Sequence, residues 1–220
     1  MSEIFFKRVY FLIVVKLLFL VYSSSAQEKN SGYASFHASC PEKRWALFHP
    51  FAARKIYKAA ITARDGVIKV KNDSLLDNRT NGGMLDAFRH TYWMALSSQK
   101  VNAKKAIRFG KVHERGNYKM FKKLQYEEGE LPDSASSAMD LFNNKIGAAI
   151  GCENKLASRD LLTQLIIAKI KAGEMKIISI DCSGNYLDCE HQPIDMKKFI
   201  HQWKNTKCLV NSNEGCSDKK

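Results

Sequence analysis

Three polar groups set into apolar helical stretches carry the chemistry this chain could perform. They are Asp86, Arg89 and His90 in GMLDAFRHTYWMAL, His113 and Glu114 in AIRFGKVHERG, and Asp140, Asn143 and Asn144 in SSAMDLFNNKIG. Imidazole, carboxylate, carboxamide and guanidinium are the groups from which hydrolytic or metal-assisted sites are built. Burying such groups without partners costs on the order of 2–7 kcal/mol each. Something must satisfy them, either one another or a ligand.

Two mechanisms fit these residue types. In the first, His90, His113 and Asp140 bind a divalent metal with one open coordination position. Glu114 is then the general base, and Arg89 and Asn144 hold an anionic or carbonyl oxygen. In the second no metal takes part. His90, oriented by Asp86 or Asp140, activates water or a hydroxyl, and Arg89 stabilises developing negative charge. Each residue also has a plain structural use. Asp86 could pair with Arg89 or His90 along one helix for ~0.2–0.5 kcal/mol. His113 suits a helix C-terminus, and the spacing Ser137-x-x-Asp140 resembles a capping box.

Helices must position these groups. Leu85, Phe88, Tyr92 and Ala95 form a core-facing stripe, with Asp86, Arg89, His90 and Trp93 on its flank. An earlier helix begins near Pro50 and ends at Asp65-Gly66, followed by a turn-rich loop from Asn72 to Gly83. Further helices are expected over Ala103–Arg115, stopping near Gly116-Asn117, over Tyr118–Leu124, and after Ser136-Ser137. In the last of these Met139, Phe142, Ile146, Ala149 and Ile150 read as the apolar face, with Asp140, Asn143, Asn144 and Gly147 adjoining it. Gly147 and Gly151 cost helix propensity, roughly 1 kcal/mol each, which close approach of another backbone would explain. Leu156–Lys171 is a further amphipathic helix. Met175–Ile180 reads as a strand turning at Asp181–Asn185 and returning through Tyr186-Leu187 as a hairpin. Met196–Lys204 is a last short helix. The pattern is mainly α: a single helical domain over 44–205 with a hairpin near 175–190, a flexible lead-in over 27–43 and a tail over 206–220.

The runs L-D-A-F-R-H-T-Y-W (Leu85–Trp93), H-E (His113–Glu114) and M-D-L-F-N-N-K-I-G (Met139–Gly147) resemble an uncharacterised bacterial family. Its pattern is D-A-F-R-H-x-x-W, then H-E, then M-D-L-x-N-N-x-x-G. The likeness extends over roughly Trp45 to Ile180. It implies a fold and a pocket, in a domain carried by secreted proteins and by the C-terminal ends of toxin-like proteins, and it implies no particular reaction. This chain departs from the pattern at Phe142, where histidine is frequent.

The N-terminus reads as a secretory signal peptide over 1–26. Lys7 and Arg8 precede an apolar stretch, Val9–Tyr22, and Ser24-Ser25-Ala26 offers a cleavage point. That stretch is shorter than the ~20 residues that span a bilayer and is broken by Lys16. About 194 of the 220 residues then remain, with no further membrane-spanning segment expected. Removing Lys7, Arg8, Lys16 and Glu3 lowers the net charge from +13 to about +11. Such a charge favours anionic partners, a substrate or an envelope component. The lysines are scattered without a compact aromatic-interleaved patch, which argues against specific nucleic-acid binding. Cys40, Cys152, Cys182, Cys189, Cys208 and Cys216 all follow the signal, so disulfides are expected. Spacing suggests Cys182–Cys189 and Cys208–Cys216, leaving Cys40–Cys152. No finger-type Cys/His spacing, H-E-x-x-H, G-x-S-x-G, P-loop or dinucleotide fingerprint is present.

The leading expectation is an exported hydrolase-like domain, periplasmic or extracellular, acting on an envelope or phosphate-bearing substrate. Its residues are His90, Glu114, Asp140, Arg89, Asn144 and Asp86, with a divalent metal as the possible cofactor. The alternative is a secreted binding or inhibitor module that uses the same pocket for a ligand or protein partner without turnover.

Overall fold

Thirteen of the seventeen residues of the helix Met84–Lys100 are buried, so it forms the axis around which the other elements pack. A computed structural model describes residues 38–126 and 129–216. The expected signal peptide and residues 27–37 lie outside the described residues. In chain order the helices are α1 (Cys40–Phe48), α2 (Pro50–Asn72), α3 (Met84–Lys100), α4 (Ala103–Phe121), α5 (Ser134–Glu153) and α6 (Arg159–Lys171). Strand β1 (Lys176–Ile178), a 3-10 turn (Met196–Phe199) and strand β2 (Leu209–Asn211) follow. The architecture is mainly α with a small two-stranded antiparallel sheet near the C-terminus. No helix among the described residues is long and apolar enough to cross a membrane.

The contact that positions the site is the crossing of α3 and α5. A Cβ on Gly147 would collide with the Thr91 carbonyl, and one on Gly151 with the Ala95 carbonyl. Glycine at both positions lets the two backbones touch. The stripe that carries Gly147 and Gly151 also carries Asp140 and Asn144 nearer the N-terminus, at helical spacing. Backbone contact at the glycines therefore brings these polar side chains against α3.

This crossing corrects the face assigned to α5. Asp140, Asn143, Asn144, Gly147, Ala148 and Gly151 are buried, while Phe142 and Ala149 are exposed. A tight crossing selects small side chains and polar ones with local partners, so hydrophobicity alone misassigns it. The cap differs as well. Asp133 caps α5, accepting from the N–H groups of Ala135 (2.9 Å) and Ser136 (2.8 Å). Asp140 is therefore well inside the helix, and the Ser137-x-x-Asp140 capping box does not form.

Other expected boundaries shift where a neighbour overrides a local signal. α2 runs through Asp65-Gly66 because Gly66 sits where a Cβ would lie 2.6 Å from the Tyr92 ring. α4 runs through Gly116 to Phe121 and absorbs the separate Tyr118–Leu124 helix, since Gly116 faces the Ser39 hydroxyl. α1 begins inside the expected lead-in. Ser39 and Glu42 form a capping box, with Ser39 N–H donating to Glu42 Oε2 at 2.6 Å.

The C-terminal region departs furthest. β1 pairs with β2, in the register Lys176↔Asn211, Ile177↔Val210 and Ile178↔Leu209. The turn at Asp181–Asn185 forms, yet beyond it Tyr186 makes only an isolated bridge with Ile180. The stretch expected as a tail supplies the second strand. Antiparallel return nests the cysteines, so Cys182 bonds Cys216 and Cys189 bonds Cys208. The local pairs Cys182–Cys189 and Cys208–Cys216 are excluded. Cys40 and Cys152 are free and exposed. Two disulfides fit an oxidising, exported environment.

Candidate functional site

The N-terminus of α3 is tied down before its polar residues appear. Asp77 accepts from the N–H groups of Met84 (2.9 Å) and Leu85 (3.0 Å). Gly82 N–H donates to Asp86 Oδ2 at 2.7 Å, and the Gly82 carbonyl accepts from Ile178 N–H at 2.7 Å. Asp86 is thus fixed in the first turn, where the helix dipole favours negative charge.

His90 lies one turn further on and is buried. Its Nε2 is 3.4 Å from Asp86 Oδ1, 3.4 Å from Asp140 Oδ1 and 3.3 Å from Arg89 Nη2. Arg89 Nη2 also donates to Asp86 Oδ1 at 2.7 Å. Burial, then the Arg89 guanidinium and His113, hold the His90 pKa well below the usual histidine range. These causes favour the neutral imidazole, the state needed in a base or a metal ligand. The Asn144 carboxamide faces the ring outside good hydrogen-bond geometry and partly offsets that shift. Gly110 leaves room for it, since a Cβ there would lie 2.9 Å from Asn144 Nδ2.

One donor set emerges from this packing. Asp86, His90 and Asp140 each offer an atom within 4.8 Å of the others, and all three residues are buried. Nitrogen and carboxylate oxygen together are the ligands that zinc and its neighbours take.

The expected residues divide into those gathered here and those that are not. Asp86, Arg89 and Asp140 line one pocket together with Glu114, whose Oε2 accepts from Asn117 Nδ2 at 3.4 Å. His113 is not in the donor set. Its ring centroid is 6.4 Å from that of His90, and its Nδ1 is 2.9 Å from Glu42 Oε1. Burial would push the Glu42 carboxyl up, but His113 and Ser39 together bring it below the usual range. Asn143 serves the scaffold. Its Nδ2 donates to the Lys176 carbonyl at 2.9 Å and its Oδ1 accepts from Lys176 N–H at 3.0 Å, fastening β1 to α5.

Sequence reasoning missed Glu42, Glu130 and Asp133. Glu130 and Asp133 complete the pocket wall with Asn81, Gly82 and Ser136. The Tyr186 hydroxyl donates to Glu130 at 2.6–2.7 Å. Buried Lys207 lies 2.8 Å from Asp133 Oδ2, with its ammonium 3.7 Å from the Tyr186 ring centroid. Of these, Glu42 and Asp133 carry a local sequence signal as capping residues, and Glu130 carries none.

The cavity is about 30 Å³, room for an ion or a very few waters. Glu130 and Arg89 are both partly exposed, which connects it to solvent. Among the described residues lining it, Asp86, Glu114, Glu130, Asp133 and Asp140 are carboxylates and Arg89 is the guanidinium. A basic protein therefore carries an acidic pocket.

Residues 43–174 match the family described as Domain of unknown function (DUF6973), and the chain belongs to that family. The donor set and Glu114 fall within the matched span, while both disulfides fall beyond it. No curated protein and no solved structure matches the chain.

Proposed function

We propose that the pocket is a divalent-cation site serving hydrolysis of an envelope component or a phosphate-bearing substrate outside the cytosol. The donor geometry around buried His90 carries the reading: Asp86, His90 and Asp140 each offer a ligand atom within 4.8 Å of the others. One imidazole nitrogen with two carboxylate oxygens is a set that zinc and its neighbours take, and Glu114 lines the adjoining pocket. The acidic wall also repels a bare anion, so an anionic substrate requires the cation first.

Asp86, His90 and Asp140 would hold the ion. Bound there, it supplies Lewis-acid polarisation of a carbonyl or phosphoryl group. Asp86 is kept in position by Gly82 N–H, and His90 by the tight α3–α5 crossing. Glu114 is the carboxylate in the same pocket that accepts the proton of an attacking water. Arg89, which lines the same pocket, would meet developing negative charge. The interbacterial, toxin-like role suggested by the resemblance belongs to this proposal.

One observation favours a second reading, a binding or inhibitor module without turnover. Arg89 Nη2 already lies between Asp86 and His90, and it can act as the resident cation. A panel of phosphodiesters, phosphomonoesters, esters and peptidoglycan fragments separates the two. The hydrolase reading expects turnover that a chelator abolishes, and that falls at least about 100-fold in Glu114→Gln and Asp140→Asn. No turnover on the whole panel with Mn²⁺ or Zn²⁺ present supports the binding module instead.

A further inference from the structure

The corner between α1 and α2 leaves large apolar side chains in water. Phe51 is 85 % exposed, Phe48 68 % and Leu47 66 %. They flank the His49-Pro50 junction, at the last turn of α1 and the first turn of α2. Cations stand one turn behind them on both helices. Lys43 and Arg44 precede Leu47 and Phe48 by three to four residues, and Arg54 and Lys55 follow Phe51 at the same spacing. All four are exposed, as is Lys58. From Lys43 to Arg64 the chain contains no aspartate or glutamate. Glu42, just before this stretch, is buried against His113.

We propose that this corner docks on an anionic lipid bilayer, with Leu47, Phe48 and Phe51 entering the interface and the surrounding cations meeting acidic headgroups. Apolar insertion combined with a basic surround is the arrangement that gives peripheral membrane binding. Two features favour lipid over a protein partner. The three side chains protrude rather than line a groove, and lysine, which is depleted at the centre of protein interfaces, surrounds them. The charge belongs to this corner and contrasts with the acidic pocket, so docking does not depend on the pocket being catalytic. It places the domain at the membrane whatever it acts on there.

Vesicle flotation of the full chain tests this, using phosphatidylcholine alone and phosphatidylcholine with about one-third phosphatidylglycerol. Every variant shares Met1–Ala26, so that segment does not account for a difference between a variant and wild type on the same vesicles. Wild type is expected to partition at least about tenfold better onto the anionic vesicles. Phe48→Ser with Phe51→Ser should lower that partitioning about tenfold or more at unchanged Tm. Arg44→Gln with Arg54→Gln and Lys55→Gln should remove the preference for anionic lipid. Equal partitioning of wild type onto both vesicles, or variants that partition like wild type, overturns the proposal. So does a double phenylalanine variant that turns a dimer into a monomer without changing vesicle binding, which would make the corner a contact between copies.

Discussion

The α3–α5 crossing and the segment after Gly173 hold their shape by opposite means. The crossing has no covalent link and depends on contact between backbones, with glycine at 147 and 151 and a buried helix as partner. The C-terminal segment has two strands of three residues and a short 3-10 turn, too little to bury a core of its own. Two nested disulfides and the ion pair of Lys207 with Asp133 fasten it. The pocket draws on both. Its floor, Asp86 and Asp140 beside His90, comes from the crossing. Its wall at Glu130 and Asp133 is held by Tyr186 and Lys207 from the stapled segment. The donor set and the support of the pocket wall thus come from separate parts of the chain, and the family match ends close to where one gives way to the other.

The largest expected effect breaks the crossing. At an exposed helix position Gly→Ala stabilises by about 1 kcal/mol. Gly147→Ala should do the reverse, with a net loss of about 2 kcal/mol or more, because its Cβ meets the Thr91 carbonyl. Urea unfolding measures this, and a gain would mean that the helices can separate freely. Next comes the staple. Cys182→Ser with Cys216→Ser should cost about 2–4 kcal/mol, concentrated in one part of the molecule. Amide exchange is expected to rise over 175–216 while α3 and α5 stay protected; uniform loss would show that the two regions fold as one.

A smaller effect concerns acid. Burial raises the Asp133 carboxyl, but Lys207 and the Ser136 N–H lower it further, and its folded pKa lies below the ordinary 3.8. Its stabilisation is therefore fully present above about pH 4 and is lost as pH falls through the lowered folded value. Between those limits, exchange over the stapled segment should increase in wild type. In Asp133→Asn the same segment should be looser at neutral pH and respond less to acid.

The two regions were also unequally legible. The α3 stripe could be read directly, because Leu85, Phe88, Tyr92 and Ala95 all face inward at helical spacing. Asp86 and His90 share a face by the same periodicity. α5 is legible in part: Met139 and Ile150 are buried as their apolarity suggests, while Phe142 and Ala149 are exposed because a close crossing selects glycine and asparagine. α1 falls in a stretch whose polar, small residues read as a lead-in, although Ser39 and Glu42, with Pro41 between them, write a capping box in the sequence. His113 reads as a ligand because nothing local announces its pairing with Glu42, seventy-one positions away. The disulfide map failed for a topological reason. Proximity in sequence favours short loops, while an antiparallel return from β2 to β1 requires nested ones.

The central claim is that Asp86, His90 and Asp140 form one cation site, and calorimetric titration tests it most directly. Mn²⁺ or Zn²⁺ added to chelator-treated protein at neutral pH should fill one saturable site. Binding should be lost in Asp140→Asn and His90→Gln. Absence of a saturable site in wild type, or undiminished binding in both variants, would contradict it.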